Sequence, residues 1–131
     1  MWWGNAIEAP DPEALAGFYS ELLDWPQVHQ EPGTVVLAAP GGSTFVVFQQ
    51  ADEYEPPVWP PNPGSQRAMM HFDFQVGDLD SATSEAVALG ATLAKHQPQE
   101  NVRVLFDPAG PPLLPRSGRR LIVLVAARKS A

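Results

Sequence analysis

The sequence predicts an α+β fold built from two tandem βαβββ modules, and this prediction depends on an internal repeat. An alternating strand followed at once by an acidic helix cap occurs at residues 5–13 and again at 68–80. Five matched pairs lie 67 positions apart: Ile7 and Phe74, Ala9 and Val76, Asp11 and Asp78, Leu22 and Leu89, and Val35 and Val102. Because one offset serves a strand, a helix and a later strand, we interpret the chain as a duplicated unit.

The composition is that of a single folded domain. The chain has 131 residues, of which 44% are hydrophobic and 18% charged, so it can form a substantial core. We expect one domain over residues 1–131, with module one at about 1–50, a proline-rich linker at 51–65 and module two at about 66–131.

Charge and cysteine content limit the classes of partner and site. The formal net charge of −7 argues against nucleic acid and anionic membranes as partners. No apolar run is long enough to span a membrane, and residues 1–4 lack the basic start and apolar core of a signal peptide. The absence of cysteine excludes disulfides and thiolate sites, and it agrees with a cytoplasmic location, which we expect.

Module one begins with a strand predicted from Trp2 to Ala9. Asp11 then caps a helix, with Pro12 at its first position. Apolar residues recur at helical spacing at Leu15, Phe18, Tyr19 and Leu22. A short strand at 28–30 follows, and residues 34–39 and 44–50 form a predicted hairpin.

The linker contains five prolines around one large aromatic residue, Trp59: Pro56, Pro57, Pro60, Pro61 and Pro63. This density of proline excludes a helix or a central strand. Trp59 either attaches the linker to the body of the domain or closes a pocket.

Module two begins with a strand that alternates in character. Phe72 and Phe74 point to one face, whereas His71, Asp73 and Gln75 point to the other. A helix is predicted from Asp80 to Leu89, ended by Gly90, and is followed by strands at 92–96 and 102–106 and a turn at 107–110.

Several segments resemble the vicinal-oxygen-chelate superfamily, which includes glyoxalase I, extradiol dioxygenases and the bleomycin and fosfomycin resistance proteins. They are residues 9–19 with 22–25, 71–80, 89–93 and 103–110. The Pro-Pro-x-Trp-Pro pattern at 56–60 is similar to the linker of the uncharacterised glyoxalase-like branch. This resemblance implies that the two sheets curl around a cleft with the helices outside, and that the chain forms a homodimer.

The resemblance also implies where metal ligands would lie, but the residues at those positions are poor ligands. The positions correspond to Gly4, His71, Phe48 with its neighbour Gln49, and about Leu114. Only His71 is a good ligand, and one imidazole does not hold a divalent ion. We therefore expect no metal cofactor.

His71 has three interpretations. It is a cavity residue that acts as acid, base or hydrogen-bond donor, the remnant of a metal site, or a structural strand histidine. Asp73 shares its face, which lines a ligand cavity or is simply open to solvent. Arg103 is either the partner of an anionic ligand group or a surface partner of an acidic residue.

The end of module two departs from the family pattern. Pro111, Pro112 and Pro115 stand where relatives have a strand, and we predict that they cannot form a central strand. The next strand-like segment is at 121–126. We explain this either by a loop insertion with a replacement last strand, or by a one-base insertion that shifts the reading frame.

The functional prediction is that the cavity between the modules binds a small organic molecule without a metal. His71 is the predicted catalytic residue, and the substrate-binding residues are Phe48, Gln49, Trp59, Asp73 and Arg103. This describes a sequestering or resistance-type protein or a metal-independent enzyme. The alternatives are a metal-dependent lyase, isomerase or dioxygenase of the glyoxalase type, and a structural dimer without a ligand.

Overall fold

The computed structural model describes residues 1–118, which form two four-stranded sheets and two helices. In chain order the elements are β1 (Trp3–Ala9), α1 (Pro12–Leu23), β2 (Gln27–Glu31), β3 (Thr34–Ala38), β4 (Thr44–Gln50), β5 (Phe72–Gln75), α2 (Leu79–Leu89), β6 (Thr92–Leu93), β7 (Leu105–Phe106) and β8 (Pro112–Arg116). Neither helix has both the length and the apolar character needed to cross a bilayer within these residues.

The two sheets have the same topology. Their strand orders are β1-β4-β3-β2 and β5-β8-β7-β6, and in each sheet the first and last strands of the module pair in parallel. Asn5 pairs with Val46 in the first sheet, and Phe72 pairs with Leu113 in the second. Both pairings are related by the 67-residue offset of the sequence, so the predicted α+β fold of two βαβββ modules is confirmed.

Matching acidic caps start the two helices. The Asp11 side chain accepts a hydrogen bond from the Ala14 amide at 3.1 Å, and the Asp78 side chain accepts one from Ser81 at 3.0 Å. Each bond satisfies one of the amide groups that a helix leaves unpaired at its first turn. The second helix begins at Leu79, one residue before the predicted start.

The main core lies between the sheets and the helices, and Tyr19 is at its centre. The ring of Tyr19 stacks on Phe48 of β4 and meets Phe72 of β5 edge-on, at centroid distances of 5.7 and 5.4 Å. Its hydroxyl donates to the buried carboxylate of Asp107 at 2.6 Å. Helix α1 of module one therefore packs directly against module two.

The prediction that the proline-rich end cannot form a central strand is wrong. Pro112–Arg116 forms β8, which lies between β5 and β7. Proline lacks only the N–H group, and the ladder uses the carbonyl groups: Pro111 accepts from the Asp107 amide at 2.9 Å and Pro115 from Arg103 at 3.1 Å. Module two thus has its fourth strand at residues 112–116, so its sheet needs no replacement strand. The one-base insertion concerns the gene and stays a prediction. The strand predicted at 121–126 lies outside the described residues.

The middle strands of module two are shorter than predicted, because a side chain interrupts their ladder. β6 and β7 have two residues each, in place of the strands predicted at 92–96 and 102–106. The side-chain amide of Gln97 donates to the carbonyls of Ala94 and Val104 and accepts from the Val104 amide, at 2.8 to 2.9 Å. It therefore substitutes for a backbone partner at this point of the sheet.

Candidate functional site

A cavity of about 260 Å³ lies on the face of the second sheet that contains the His71 side chain. Its lining residues are Trp59, His71, Pro98, Gln99, Val102, Val104, Pro112 and Leu114. We call it the His71 cavity. Trp59 belongs to the linker and the other residues to module two, so this cavity lies under the linker. The cavity predicted between the modules is a separate one, which Phe48 and Asp73 both line.

His71 is held by a short chain of polar contacts. Its Nδ1 lies 2.5 Å from Oδ1 of Asp73, because residues two apart along an extended segment share a face. An ionised carboxylate only accepts hydrogen bonds, so Nδ1 carries a proton, and in the neutral imidazole Nε2 keeps its lone pair. The other carboxylate oxygen of Asp73 lies 3.4 Å from Nη1 of Arg116.

Arg116 is the site residue that the sequence reasoning missed. Its side chain is only 6% exposed, whereas Asp73 and His71 are 24% and 36% exposed. No role was predicted for Arg116 from the sequence, because no strand was expected at this place. The 67-residue offset gave a signal, since Arg116 is the counterpart of Gln49 and pairs with Gln75 as Gln49 pairs with Glu8.

Trp59 both attaches the linker and forms a wall of the cavity. Its ring lies 5.6 Å from that of His96 and 6.4 Å from that of Phe106. It packs against a small buried cluster formed by Ala94, Val102, Val104 and Leu114. The two interpretations of this residue are therefore compatible.

Phe48 and Gln49 lie apart from the His71 cavity. Phe48 is fully buried and lines a second cavity of about 280 Å³, which also contacts Tyr19, Phe72 and Asp73. Strand alternation sends Gln49 to the opposite face of β4, where it is exposed. Of the five predicted substrate-binding residues, Trp59 lines the cavity with His71 and Asp73 contacts the imidazole.

Arg103 stabilises the loop that precedes β7 through hydrogen bonds to its backbone. Its Nη1 donates to the carbonyls of Glu100 and Val102, each at 3.0 Å, and lies 3.5 Å from the carbonyl oxygen of Gln99. It is not among the residues that line the His71 cavity.

The side chains present do not fit a divalent metal ion. Within residues 1–118, no three His, Asp or Glu side chains are placed to hold one. At Gly4, a Cβ atom would lie 2.7 Å from the Phe45 carbonyl oxygen, so the strand packing leaves no room for a ligand side chain. Leu114 offers no donor atom, and the Arg116 guanidinium already supplies positive charge beside Asp73.

A second ionisable group, Asp107, is buried in the core and not in the cavity. Burial raises the pKa of its carboxyl from 3.8 to about 6, against hydrogen bonds from Tyr19, Ala109 and Gly110 that lower it. Burial and the neighbouring Asp107 also raise the pKa of Tyr19 well above 10.0. These contacts tie the turn before β8 to helix α1, so Asp107 has a structural role.

Solved structures share this fold at low sequence identity. FosX, a fosfomycin resistance protein from Listeria monocytogenes solved with manganese(II) and sulfate, is 12% identical, with 91% of this chain and 90% of that chain covered and a TM-score of 0.69. A glyoxalase/bleomycin resistance protein/dioxygenase family enzyme from Burkholderia phytofirmans is 17% identical, with coverages of 87% and 95% and a TM-score of 0.66. Lactoylglutathione lyase from Agrobacterium tumefaciens is 20% identical, with coverages of 90% and 93% and a TM-score of 0.59.

A comparison with curated proteins finds no match. The family model described as "Glyoxalase-like domain" matches residues 5–113. This match runs from within β1 to the first two residues of β8, and it agrees with the resemblance inferred from the sequence. The chain therefore belongs to the glyoxalase-like domain family, within the vicinal-oxygen-chelate superfamily.

Proposed function

We propose that the His71 cavity binds a small organic molecule without the help of a metal ion. The observation that carries this proposal is the chain of contacts from His71 through Asp73 to Arg116 at the edge of an apolar cavity. A concave apolar site with few convergent polar groups is the usual form of a small-molecule site.

The same contacts suit His71 to accept a proton or a hydrogen bond. Asp73 fixes the orientation of the imidazole and leaves Nε2 available, while Arg116 compensates the charge of Asp73. A histidine oriented in this way is suited to general-base chemistry. No Ser, Thr, Tyr or Lys lines the cavity in the described chain, so the proposal covers a sequestering protein or a metal-independent proton-transfer enzyme, but no covalent catalysis.

The metal-dependent alternative has less support. It would make the protein a lyase, isomerase or dioxygenase of the glyoxalase type, and FosX with manganese shares the fold. However, Gly4 and Leu114 provide no ligands, and Arg116 would repel a cation near Asp73. A structural dimer without a ligand is also less supported, because it gives no reason for an apolar cavity beside the His71 imidazole.

A homodimer is part of the proposal. Four large apolar side chains near the two edge strands are unusually exposed, at 69% for Trp2, 61% for Trp3, 89% for Met69 and 53% for Met70. Exposed apolar surface of this kind favours burial against another molecule. Light scattering of the purified protein, with a Trp2→Ser/Met69→Ser variant for comparison, tests this part.

A fragment screen by ligand-observed NMR tests the binding proposal, with chelator present throughout. His29 provides a matched control, since its Nε2 lies 3.4 Å from Glu31 two residues away, but on exposed β2. Fragments that bind the cavity should lose affinity in His71→Ala and Trp59→Ala and keep it in His29→Ala. Fragments that all bind His71→Ala as well as the wild type would contradict the proposal, as would the absence of any hit.

A further inference from the structure

We propose that the His71 cavity selects an uncharged, hydrogen-bond-donating molecule of about one ring, such as a phenol; this rests on the proposed function. It names the chemical class of the ligand from three features of the cavity: its charge, its hydrogen-bonding groups and its walls.

The first feature is that the described part of the chain brings no free positive charge to the cavity wall. In the chain up to residue 118, no Lys or Arg lines the cavity. Arg116 is engaged with Asp73, and Arg103 is engaged with backbone carbonyls. An anionic ligand would therefore lose its hydration without gaining an ionic partner, and Asp73 lies just behind His71. Such burial of an unpaired charge is strongly unfavourable.

The second feature is that each of the two polar residues of the lining has an acceptor atom to which no donor bonds in the described residues. His71 presents Nε2, because Nδ1 is used by Asp73. Gln99 has a buried Oε1 atom with no hydrogen-bond partner in the described residues. Buried acceptors without partners are costly, so a ligand that donates an O–H or N–H bond is favoured over one that only accepts.

The third feature is the size and character of the walls. The cavity has about 260 Å³, which is below the range of roughly 300–1,000 Å³ for drug-sized ligands. The Trp59 ring, held by His96 and Phe106, forms one side, and Val102, Val104 and Leu114 lie on the sheet. A flat apolar ring fits these walls and can stack on Trp59.

Three para-substituted toluenes separate these features: para-cresol, para-toluate and para-methylanisole. Para-cresol is neutral and donates, para-toluate is an anion, and para-methylanisole is neutral without a donor. Titrations followed by NMR of the Trp indole and His imidazole signals give the three dissociation constants. We expect para-cresol to bind at least about tenfold more tightly than either competitor, as expected for one hydrogen bond to a desolvated acceptor.

Two variants locate the effect. His71→Ala and Gln99→Leu should each remove most of the preference for para-cresol over para-methylanisole, whereas His29→Ala should leave it unchanged. Gln99→Leu removes an atom that makes no bond in the described residues, so its fold should be retained.

The outcomes distinguish this inference from the proposed function. If para-toluate binds as well as para-cresol, or better, the charge argument fails, but small-molecule binding stands. Equal binding of para-methylanisole and para-cresol overturns the argument from acceptors in the same way. If none of the three probes binds, the inference is wrong, and the broader fragment screen alone decides the proposed function.

Discussion

The hydroxyl of Tyr19 donates a 2.6 Å hydrogen bond to Asp107 across 88 residues of sequence. It connects helix α1 of module one to the turn that leads into β8 of module two. Both groups are buried, with exposed fractions of 1% and 4%. The Asp107 carboxylate also accepts from the amides of Ala109 and Gly110, at 2.8 and 3.1 Å. The hydrogen bonds of this carboxylate therefore connect the two modules.

Replacing Tyr19 with Phe should lower the free energy of unfolding by about 1–3 kcal/mol, because a buried carboxylate loses a donor. Urea denaturation followed by circular dichroism measures the change. Tyr54→Phe is the control, since Tyr54 is half-buried and its hydroxyl donates to the Ala109 carbonyl instead. Equal losses of unfolding free energy in the two variants would show that the Tyr19–Asp107 bond stabilises the fold no more than the bond of Tyr54 does.

The raised pKa of Asp107 makes a prediction about pH. The folded carboxyl has a pKa of about 6, above its ordinary value of 3.8, so the folded state binds the proton more tightly. The stabilising contribution is fully present below pH 3.8 and is lost as the pH rises through about 6. This difference between the folded and the ordinary pKa corresponds to a change of about 3 kcal/mol in the free energy of unfolding.

Asp107→Asn removes this titration while keeping a similar shape. The free energy of unfolding of the wild type, measured relative to this variant, should fall between pH 4 and pH 7 by roughly that amount. If the free energies of unfolding of the wild type and the variant change in parallel across this range, the carboxyl of Asp107 does not have a raised pKa in the folded protein.

Gly4 and Gly17 form a matched pair for the packing of module one. Gly4→Ala should destabilise the fold by about 1–3 kcal/mol, because its Cβ would lie 2.7 Å from the Phe45 carbonyl oxygen. Gly17 is inside helix α1, and beyond its chain neighbours and the backbone of its own helix no atom lies within 4 Å of a Cβ placed there. Gly17→Ala should therefore stabilise by about 0.5–1 kcal/mol. Thermal unfolding of both variants checks the opposite signs, and a harmless Gly4→Ala would reopen this position to a ligand side chain.

Arg116 should be coupled to Asp73. Arg116→Met leaves a partly buried carboxylate without this cation, and it should cost about 2–4 kcal/mol. Combining it with Asp73→Asn should recover part of the loss, because the carboxylate that had faced Arg116 is then neutral. Strictly additive losses in this double-mutant cycle, measured by urea denaturation, would mean that the 3.4 Å contact carries no energy.

The sequence predicted the architecture because the duplication is visible in its spacing. Asp11 and Asp78 cap the two helices as expected, and the 67-residue offset also sets the strand register. The face of His71 and Asp73 followed from simple alternation. These features depend on local patterns, which a sequence contains.

The parts that were not predicted depend on pairing in three dimensions. Whether Pro115 fits a central strand depends on whether its neighbours require its N–H or only its carbonyl, and here they require the carbonyl. Arg116 was missed for the same reason, since its place in the site exists only if β8 forms. Phe48 and Gln49 were both predicted to bind the substrate, although alternation sends neighbouring side chains to opposite faces, and only Phe48 lines a cavity in the described residues.

The most direct test of the central claim is an NMR titration of chelator-treated protein with a fragment hit, following the Trp59 indole and His71 imidazole signals. The account predicts saturable shifts of both signals without any metal, and no further effect when manganese(II) is added. Binding that appears only with manganese, or shifts that leave both residues unaffected, would contradict a metal-independent site at His71.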